Sequence, residues 1–460
     1  MNNENLKNKK ILVVGMGKSG IAATRAMVQL GAEVTVQDGK TEDQIDGQLL
    51  NYLEGRNVKC YFGELPDVAD YDMIILSPGV DPDLEFVRRE HLQGAEITGE
   101  LEIAYRLAKG TFVAITGTNG KTTTTTLVGE IFRKSGRKTH VAGNIGIAVI
   151  TEAMESDEDD WLITETSSFQ LQTIRYFKPA VSAILNLTPD HLNRHHTMEN
   201  YGYCKSRIWE NQDSSGYLVI NSDDPVCMDL CLERVGTPKA KIIPFSRRKE
   251  LEMGAFLKDG MLVLKNEKGE LIEFCNKDEL KIIGDHNIEN ALAAIAICYF
   301  SGIDKDVIAD VIRTFGGVEH RIEYCGACDG VRFYNDSKGT NVDAAIIAIK
   351  AIKENIILIA GGDSKKQEFD ELAAELKGKV KHVMLLGRDR GDIIKALDKQ
   401  GYSDYTLCKN MDECVAKAFE IAENGDTVLL SPACASWDMY DNFEQRGNHF
   451  KDCVAHLGAV

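Results

Sequence analysis

Short apolar runs alternate with amphipathic stretches over the N-terminal part of the chain. The apolar runs are rich in Val, Ile and Leu, as expected of buried strands, and residues 19–30 place their apolar side chains at helical spacing. Strand, helix and strand in that order are typical of parallel βαβ units. We therefore predict an α/β domain over residues 1–98, with strands at 10–14, 33–37, 73–76 and 95–98.

The middle of the chain continues this rhythm and then departs from it. An amphipathic helix is predicted at 122–135, among several apolar strands. Between residues 241 and 284 the pattern changes to short alternating strands around Gly-containing turns, which predicts a small antiparallel appendage. We assign residues 99–317 to a central domain with a mostly parallel sheet. Its parallel strands are predicted at 111–116, 161–164, 181–185 and 217–221.

The βαβ rhythm returns after His320. Apolar runs again alternate with helical stretches, so a third α/β domain is predicted over residues 318–460. The chain as a whole is expected to have three α/β domains, in line with its 460 residues. The strands of the last domain are predicted at 331–334, 356–360, 383–386 and 428–430.

The charge balance limits the possible partners. The chain has 71 acidic and 53 basic side chains, a formal net charge of -18, which argues against generic binding to nucleic acid or to an anionic membrane surface. The N-terminus MNNENLKNKK lacks the apolar core of a signal peptide, and the longest apolar run, 291–300, is too short to cross a bilayer. We expect a cytoplasmic protein, and a monomer because no amphipathic seam stands out.

The 12 cysteines fit reduced, buried small side chains better than a disulfide framework in a chain of this length. Cys325 and Cys328 have C-x-x-C spacing, but no second pair lies nearby in the sequence. A metal or redox role for this pair is therefore a weak hypothesis.

The segment GTNGKTT at 117–123 follows a predicted strand and opens a predicted helix, which is the context of a phosphate-binding loop. Gly117 and Gly120 allow the backbone to turn its N–H groups inward, Lys121 brings a positive charge to the phosphates, and the Thr122 hydroxyl can bind Mg²⁺. A standard P-loop would have glycine where this chain has Ile115. The alternative is a Gly-rich turn without a ligand.

A second glycine turn, G-x-G-x-x-G at 15–20, follows the first predicted strand, and Asp38 lies at the spacing of a ribose-binding acid. A dinucleotide site is the obvious interpretation. The short distance to the phosphate loop favours a mononucleotide or nucleotide-sugar site, and a purely packing role for the glycines also stays open.

Further polar residues follow apolar strands of the central domain. Glu165 is a candidate Mg²⁺ ligand, because carboxylate and phosphate oxygens suit that ion, although it could equally be a solvated strand end. His191 could complete a cation site or contact phosphate. Zinc is disfavoured, since the nearby His195 and His196 have no cysteine partner and Pro189 predicts an irregular loop.

Other candidates are less marked. From composition alone Lys205 would be an ordinary surface lysine, and Asn287 either an N-terminal helix cap or a contact to a nucleotide base. His320 and Arg321 lie at the predicted domain junction, a favoured place for ligands. In the last domain three segments leave apolar strands, and they are expected to meet at one rim: 335–341, 361–365 and 431–436.

Taken together, these segments resemble the Mur ligases, the ATP-dependent amide-forming enzymes of peptidoglycan precursor synthesis, over nearly the whole chain. The phosphate loop and the helix start at His286 and Asn287 are signals that the family shares with folylpolyglutamate synthase. The segments 335–341 and 431–447 resemble the branch of the family that adds D-glutamate.

The resemblance implies a Rossmann-like N-terminal domain for a UDP-sugar substrate, a central P-loop ATPase-type domain for ATP, and a Rossmann-like C-terminal domain for the amino acid. It favours UDP over NAD at the first glycine turn. The implied reaction is ligation of D-glutamate to UDP-N-acetylmuramoyl-L-alanine. ATP phosphorylates the substrate carboxylate, the amino group attacks the acyl phosphate, and ADP and phosphate are released. ATP and Mg²⁺ are implied, with small molecules as the only partners, and neither nucleic acid nor a membrane.

The resemblance also assigns residues to roles. Lys121, Glu165, His191 and Lys205 would be catalytic, with Lys205 carbamylated and thereby a metal ligand beside Thr122, Glu165 and His191. The ATP contacts would be Gly117, Thr118, Asn119, Gly120, Lys121, Thr122, Thr123, Asn287, Arg321 and Asp336. The UDP-substrate contacts would be Gly17, Lys18, Ser19, Asp38, Ser77, Pro78, Gly79 and Asn144. The D-glutamate contacts would be Thr340, Lys365, Ser436 and Phe443.

Three other functions compete with this one. A folylpolyglutamate synthase would respond to folate and L-glutamate, and the long 431–447 segment argues against it. A nucleotide-binding switch would need Lys121 but no amino acid. An NAD-dependent dehydrogenase would leave the second phosphate loop without a role.

Overall fold

The structure is a computed structural model that describes residues 6–67, 70–352 and 355–458. Residues 1–5, part of the segment in which the sequence shows no signal-peptide core, lie outside the described residues. The chain forms two compact units, one made of Met1–Glu279 and Glu289–Arg313, the other of Leu280–Ile288 and Thr314–Val460. The described residues contain three sheets, two in the first unit and one in the second.

The first sheet is parallel throughout, with the strand order β3-β2-β1-β4-β5. The chain leaves β1 toward β2 on one side and later returns to β4 on the other, so the order reverses between β1 and β4. Such a switch point opens a crevice at the carboxyl ends of the strands. The elements are β1 (Lys10–Val14), α1 (Lys18–Gln29), β2 (Glu33–Asp38), α2 (Gly47–Glu54), β3 (Lys59–Phe62), β4 (Met73–Leu76), α3 (Glu85–Leu92), β5 (Glu96–Gly99) and α4 (Glu100–Leu107).

The second sheet has nine strands in the order β14-β13-β12-β11-β10-β9-β6-β8-β7. The strands from β7 to β12 are parallel, and only β12, β13 and β14 pair antiparallel. The strands are β6 (Thr111–Thr116), β7 (Thr139–Gly143), β8 (Trp161–Glu165), β9 (Val181–Ile184), β10 (Tyr217–Asn221), β11 (Lys241–Ser246), β12 (Gly254–Lys258), β13 (Met261–Lys265) and β14 (Leu271–Asn276).

The predicted antiparallel appendage is therefore an extension of the central sheet. β11 and β12 continue the parallel order beyond β10, and the hairpins then add two further strands at that edge. The helices of this part of the chain are α5 (Lys121–Lys134), α6 (Val149–Glu155), α7 (Ser168–Leu171), α8 (Leu192–His195), α9 (Met198–Ser206), α10 (Pro225–Met228), α11 (Asp285–Phe300) and α12 (Lys305–Thr314).

The first two sheets share one hydrophobic core. Tyr105 of α4 packs edge-to-face against Phe112 of β6 and against Phe177, with all three ring centroids 5.6 Å apart. The buried carboxylate of Glu102 accepts hydrogen bonds from the backbone N–H groups of residues 175–177. Helix α4 thus connects the first sheet to the second by aromatic packing and by a satisfied buried charge.

The third sheet forms the second unit, in the order β15-β16-β20-β17-β18-β19, parallel except for the edge strand β15. Cys325 and Cys328 lie on β15, where their thiols donate to the carbonyls of Glu323 and Leu457. The elements are β15 (Glu323–Cys328), β16 (Val331–Asn335), α13 (Val342–Ile352), β17 (Ile356–Gly361), α14 (Asp370–Leu376), β18 (Val380–Leu386), α15 (Arg390–Lys399), β19 (Tyr405–Leu407), α16 (Met411–Ile421), β20 (Thr427–Leu430) and α17 (Phe443–His456).

The predicted fold class is confirmed, with α/β layers around three mostly parallel sheets. Four strands were not predicted from the sequence: β3, β7, β15 and β19. They are short or at sheet edges, and polar residues interrupt their apolar runs. Among the described residues, none of the helices combines the length and apolar character that crossing a membrane requires.

Candidate active site

The phosphate loop lies where three parallel strands of the central sheet end. β6 runs between β8 and β9, with Ile115 paired to Glu165 and Thr116 paired to Ile184. The loop after β6, the carboxylate at the end of β8 and the segment after β9 therefore share one edge of the sheet. This is where open α/β sheets bind ligands.

The loop backbone requires its two glycines. Gly117 and Gly120 have φ values of 148° and 81°, and a Cβ atom at Gly120 would lie 2.3 Å from Oδ1 of Asn290. Gly120 is also the residue that precedes α5. The amides in the first turn of a helix have no carbonyl partner within that helix, so this end of α5 can receive an anion.

Asn186 was not among the predicted site residues, yet it holds the loop in shape. Its Oδ1 accepts from the backbone N–H groups of Thr118 and Asn119 at 3.1 and 2.8 Å, and its Nδ2 donates to the Asn119 carbonyl at 3.0 Å. Two of the loop amides are thus satisfied by the protein. An Asn directly after an apolar strand beside the phosphate loop is the signal that could have identified it.

Two lysines converge on one carbonyl oxygen. Lys121 Nζ donates to the carbonyls of Gly117 and Thr118 at 2.8 and 2.7 Å, and Lys205 Nζ donates to Gly117 at 2.7 Å. Lys205 is 1% exposed, so the surface position expected from composition is wrong. Burial, followed by repulsion from Lys121, lowers the pKa of Lys205 well below its usual value.

Glu165 carries a buried carboxylate with one oxygen engaged. Its Oε1 accepts from Asn144 Nδ2 at 3.0 Å, whereas its Oε2 has no hydrogen-bond partner among the described residues. The backbone before Asn144 can approach Glu165 only because residue 143 is glycine. A Cβ atom at Gly143 would lie 2.2 Å from the Glu165 carbonyl oxygen. A buried carboxylate oxygen without a donor fits a hard cation such as Mg²⁺. The alternative of a solvated strand end is excluded by its 2% exposure.

His191 precedes the short helix α8 in a left-handed conformation, with φ 54°, as expected for an irregular loop after Pro189. Its side chain is about half exposed, and its Nε2 lies 3.4 Å from a carboxylate oxygen of Asp190. The neighbouring His195 is buried and its ring contacts the Ser168 hydroxyl at 2.9 Å, and burial lowers its pKa to about 4.

Within the described ranges these histidines do not gather into a metal-binding cluster. One group of suitable donors occurs elsewhere in those ranges, Asp412, His449 and Cys453. Asp412 already pairs with His449 and accepts a hydrogen bond from the Cys453 thiol, and His449 also contacts the Tyr440 hydroxyl.

The first glycine turn lies at the switch point of the first sheet. Gly15 has φ 87°, and a Cβ atom at Gly20 would lie 1.8 Å from the Gly15 carbonyl oxygen, so both glycines are needed for packing. Gly17 has open space instead, and it precedes α1, which begins with Lys18 and Ser19. The packing role is therefore present at Gly15 and Gly20, and the open space at Gly17 leaves room for a ligand.

Asp38, at the end of β2, stabilises this turn by hydrogen bonds. Its carboxylate accepts from the backbone N–H groups of Met16 at 2.6 Å and Lys40 at 2.9 Å. The loop after β4 lies on the other side, where the Ser77 hydroxyl donates to the Gly15 carbonyl at 2.7 Å and is followed by Pro78 and Gly79. The predicted UDP-substrate residues of the first sheet thus surround one crevice, while Asn144 belongs to the central sheet.

In the second unit the adjacent strands β16, β20 and β17 end together, as expected. Asp336, after β16, accepts a hydrogen bond from the Ser431 hydroxyl, after β20, at 2.7 Å. Burial raises the pKa of Asp336 to about 7. Arg321 contributes a buried Nε that has no hydrogen-bond partner among the described residues, which suits an anionic ligand.

Arg446 is the buried residue of this rim that sequence reasoning missed. It is 2% exposed and donates to the Ser337 hydroxyl, the Ser337 carbonyl and the Cys434 carbonyl at 2.8–3.1 Å. Burial lowers its pKa to about 10, so the guanidinium stays charged at neutral pH. It connects the loops after β16 and β20.

The predicted D-glutamate residues lie around this rim. Lys365, after β17, has φ 50°, and its ammonium lies 4.9 Å from the Trp437 ring centroid. Ser436 is buried, and Phe443 begins α17 and accepts a hydrogen bond at its carbonyl from the Ser337 hydroxyl. Thr340 lies in the loop between β16 and α13.

Asn287 lies inside the first turn of α11 rather than before it, because the helix begins at Asp285. Its Nδ2 donates to the Ile283 carbonyl at 2.7 Å. Asn287, Arg321 and Asp336 belong to the second unit, whereas the phosphate loop belongs to the first.

Family models match most of the chain. Residues 9–99 match a Mur ligase MurD-like N-terminal domain, residues 115–298 a Mur ligase middle domain, and residues 320–434 a Mur ligase glutamate ligase domain.

Two relatives illustrate the similarity in sequence. A protein of Alkaliphilus oremlandii is 49% identical over 457 residues, which cover 98% of this chain and 99% of that protein. A protein of Clostridioides difficile is 46% identical over 454 residues, with 98% and 99% covered. Both are named UDP-N-acetylmuramoylalanine–D-glutamate ligase.

Two solved structures share the fold. The UDP-N-acetylmuramate-alanine ligase MurC of Thermotoga maritima has a TM-score of 0.60 at 19% identity, covering 97% of this chain and 99% of that one. The MurF ligase of Thermotoga maritima in complex with ADP has a TM-score of 0.59 at 14% identity, covering 99% and 97%.

Proposed function

This chain belongs to the Mur ligase family, and we propose that it ligates D-glutamate to UDP-N-acetylmuramoyl-L-alanine in an ATP-dependent step of peptidoglycan precursor synthesis. The observation that carries the proposal is the near-full-length similarity to relatives named for this reaction. The arrangement of groups at two sheet edges supports it. The edge of the central sheet at 117–123, the phosphate rim, suits a polyphosphate. The edge of the third sheet at 335–341, 361–365 and 431–436, the third-sheet rim, suits a small anionic ligand beside buried cations.

ATP binds with its phosphates at the loop 117–123 and the N-terminus of α5. Lys121 moves its ammonium from the loop carbonyls to the transferring phosphate and stabilises the charge that develops there. The γ-phosphorus is attacked by the substrate carboxylate, a P–O bond to ADP breaks, and an acyl phosphate forms. The amino group of D-glutamate then attacks the acyl carbon, phosphate leaves, and the amine loses a proton.

Mg²⁺ fits the oxygen groups at the carboxyl ends of β6 and β8. When bound, it would offset the negative charge of the phosphates. Glu165 offers its unpaired oxygen, Thr122 its hydroxyl and His191 a ring nitrogen as ligands.

Lys205 becomes a further ligand if its amine is carbamylated. The neutral amine attacks CO₂, a C–N bond forms, one proton is released, and the side chain ends in a carboxylate. The lowered pKa favours the neutral amine that this step needs. The modification would also place a carboxylate beside the Lys121 ammonium and so attract this cation, whereas a protonated Lys205 would repel it.

We assign residues 1–98 to the UDP substrate, 99–317 to ATP and 318–460 to the amino acid. The crevice at the first glycine turn receives the UDP portion, and Asn144 contacts the muramoyl portion. Asn287, Arg321 and Asp336 contact ATP, and Thr340, Lys365, Ser436 and Phe443 surround D-glutamate. We place the reaction in the cytoplasm and expect the chain to act as a monomer.

The test is phosphate release from ATP by the purified full chain across L- and D-amino acids, with and without UDP-N-acetylmuramoyl-L-alanine. We expect release only with that substrate, D-glutamate and Mg²⁺ together, and loss of release with EDTA. Release with folate and L-glutamate, or release that is independent of any amino acid, would contradict the proposal.

Lys121→Ala provides the internal control. It should lower turnover about a thousandfold, the scale of losing a preorganised charge in an active site, without changing the affinity for the UDP substrate. Loss of both would indicate misfolding, and retained turnover would remove the phosphate loop from the mechanism.

A further inference from the structure

Arg194, in α8, reaches the loop that follows β4. Its Nη2 donates to the Val80 carbonyl at 2.7 Å and to the Gln172 side chain at 3.3 Å, and its Nη1 donates to the Gly79 carbonyl at 3.4 Å. The arginine lies in a helix that follows β9 of the central sheet, whereas residues 77–80 follow β4 of the first sheet. It therefore connects the backbone of the proposed UDP-substrate loop to the part of the chain that binds ATP.

An aromatic ring supports this arginine and the proposed metal ligand together. The Arg194 guanidinium lies 5.5 Å from the Phe169 ring centroid. The same ring lies 4.9 Å from the His191 ring and stacks on His195 at 5.3 Å, with an interplanar angle of 13°. Residues 191–195 thus have a common support on α7.

The contact continues from the loop to the first glycine turn. Ser77 donates its hydroxyl to the Gly15 carbonyl at 2.7 Å, and the Val80 side chain lies 2.8 Å from the position that a Cβ atom at Gly15 would take. A shift of residues 77–80 would therefore displace the turn at Gly15. Arg194 is in this way joined to both sides of the first-sheet crevice.

The partners of Arg194 distinguish it from a surface ion pair. They are two backbone carbonyls and a neutral amide, and Arg194 forms no ion pair within the described part of the chain. A planar guanidinium bonded to successive carbonyls of one loop fixes the geometry of that loop. Hydrogen bonds from a charged donor are also stronger than those between neutral groups.

We propose that Arg194 is a positioning residue for the ligation. It fixes residues 77–80, and through them the Gly15 turn, so that the UDP-bearing substrate is held in register with the phosphate loop and His191. The inference rests on the proposed function. It adds a residue that affects binding of the UDP-bearing substrate and not of ATP or D-glutamate.

The test compares Arg194→Gln and Arg194→Lys with Arg175→Gln as a matched control. Arg175 also connects the two sheets, through Glu96 at 3.4 Å, but away from residues 77–80. Arg194→Gln should raise the KM for UDP-N-acetylmuramoyl-L-alanine about tenfold, the scale of losing charged hydrogen bonds, and change the KM for ATP and D-glutamate less than about twofold. The KM of Arg194→Lys for UDP-N-acetylmuramoyl-L-alanine should lie between those of the wild type and Arg194→Gln. Arg175→Gln should have the KM values of the wild type.

Calorimetric titration of UDP-N-acetylmuramoyl-L-alanine without ATP provides a readout free of turnover, and Arg194→Gln should show the same loss of affinity. Unchanged affinity for this substrate, or an equal rise in all three KM values, would overturn the inference. If Arg194→Gln fails to fold, Arg194→Lys decides alone. A wild type that neither binds nor uses the UDP substrate would instead overturn the proposed function, and this inference with it.

Discussion

The rims of the central and third sheets each contain a buried cation, held in different ways. Within the described residues, Lys205 at the phosphate rim donates to one carbonyl, that of Gly117, which it shares with Lys121. Arg446 at the other rim donates to three oxygens, two of them carbonyls. Burial lowers both pKa values, but Arg446 stays charged, whereas Lys205 is shifted toward its neutral form. Burial alone therefore does not determine how strongly the charged form of a buried cation is stabilised, because the surrounding hydrogen-bond acceptors also contribute.

The two rims also differ in how they form tight turns. At the phosphate rim glycine occupies three of the positive φ angles, at Gly117, Gly120 and Gly143, and His191 is the exception. The third-sheet rim has positive φ at Lys365 and at Ala433, where a side chain makes that conformation costly. Hydrogen bonds from other loops hold Ala433 in this conformation, because its backbone N–H donates to the Gly339 carbonyl and its carbonyl accepts from the Gln367 side chain.

Among the tests of this contrast between the two cations, the largest effect is expected at Lys205. Lys205→Ala should lower turnover by about a hundredfold or more, because a ligand of the proposed cation site is lost. Short carboxylic acids such as acetate should restore part of the activity, since they replace the missing carboxylate.

Lys205→Arg is the matched variant, since it keeps a cation that cannot be carbamylated. It should be inactive and should not respond to acetate. Equal activity of Lys205→Arg and the wild type would show that Lys205 acts as a plain cation, like Arg446, and the contrast between the rims would be lost.

Arg446→Gln should destabilise the second unit by about 2–4 kcal/mol, because buried carbonyls of Ser337 and Cys434 lose a charged donor. Thermal unfolding measures the loss, and hydrogen exchange should rise in residues 431–447. Arg332→Gln, an exposed arginine on β16, should leave both unchanged. Little loss of stability together with a large loss of turnover would make Arg446 a reactive cation instead.

The smallest effect concerns pH and Asp336. Its pKa is raised from 3.8 to about 7 in the folded protein, so the proton favours folding. This contribution is complete below about pH 3.8 and is lost as the pH rises toward 7. Asp336→Asn should therefore flatten the fall of the unfolding temperature between about pH 4 and 7. An unchanged slope would mean that Asp336 is ionised in the folded state.

Much of the fold could be predicted from local pattern. The buried strands β1, β4, β6 and β17 are continuous apolar runs. The glycines at fixed spacing before Lys121 indicate the phosphate loop. The edge strand β15 was not predicted, because Gly326 and a β-bulge interrupt the alternation of its side chains. The antiparallel region was recognised, but its continuity with the central sheet depends on β11 pairing with β10, which no local pattern shows.

The sites divide in the same way. Glu165 and Asp336 follow apolar strands, so their place at the rims could be foreseen. Arg446 and Arg194 were missed because nothing in their immediate sequence distinguishes them from surface residues, and Asn186 was missed although its place directly after an apolar strand was a signal. Their importance comes from the carbonyls and amides that they meet, which lie between 12 and 115 positions away along the chain.

The amino-acid sequence by itself determined the alternation of strands and helices, the two glycine turns and the residues available for chemistry, because these depend on side-chain periodicity and on conformations that only glycine adopts easily. Tertiary structure alone decided that Lys205 is buried with a lowered pKa, that Arg446 is buried and satisfied, and that Arg194 connects two sheets. The physical reason is that burial and hydrogen-bond partners are set by segments distant in the chain, and these determine whether a charge is stabilised, neutralised or used to hold a loop.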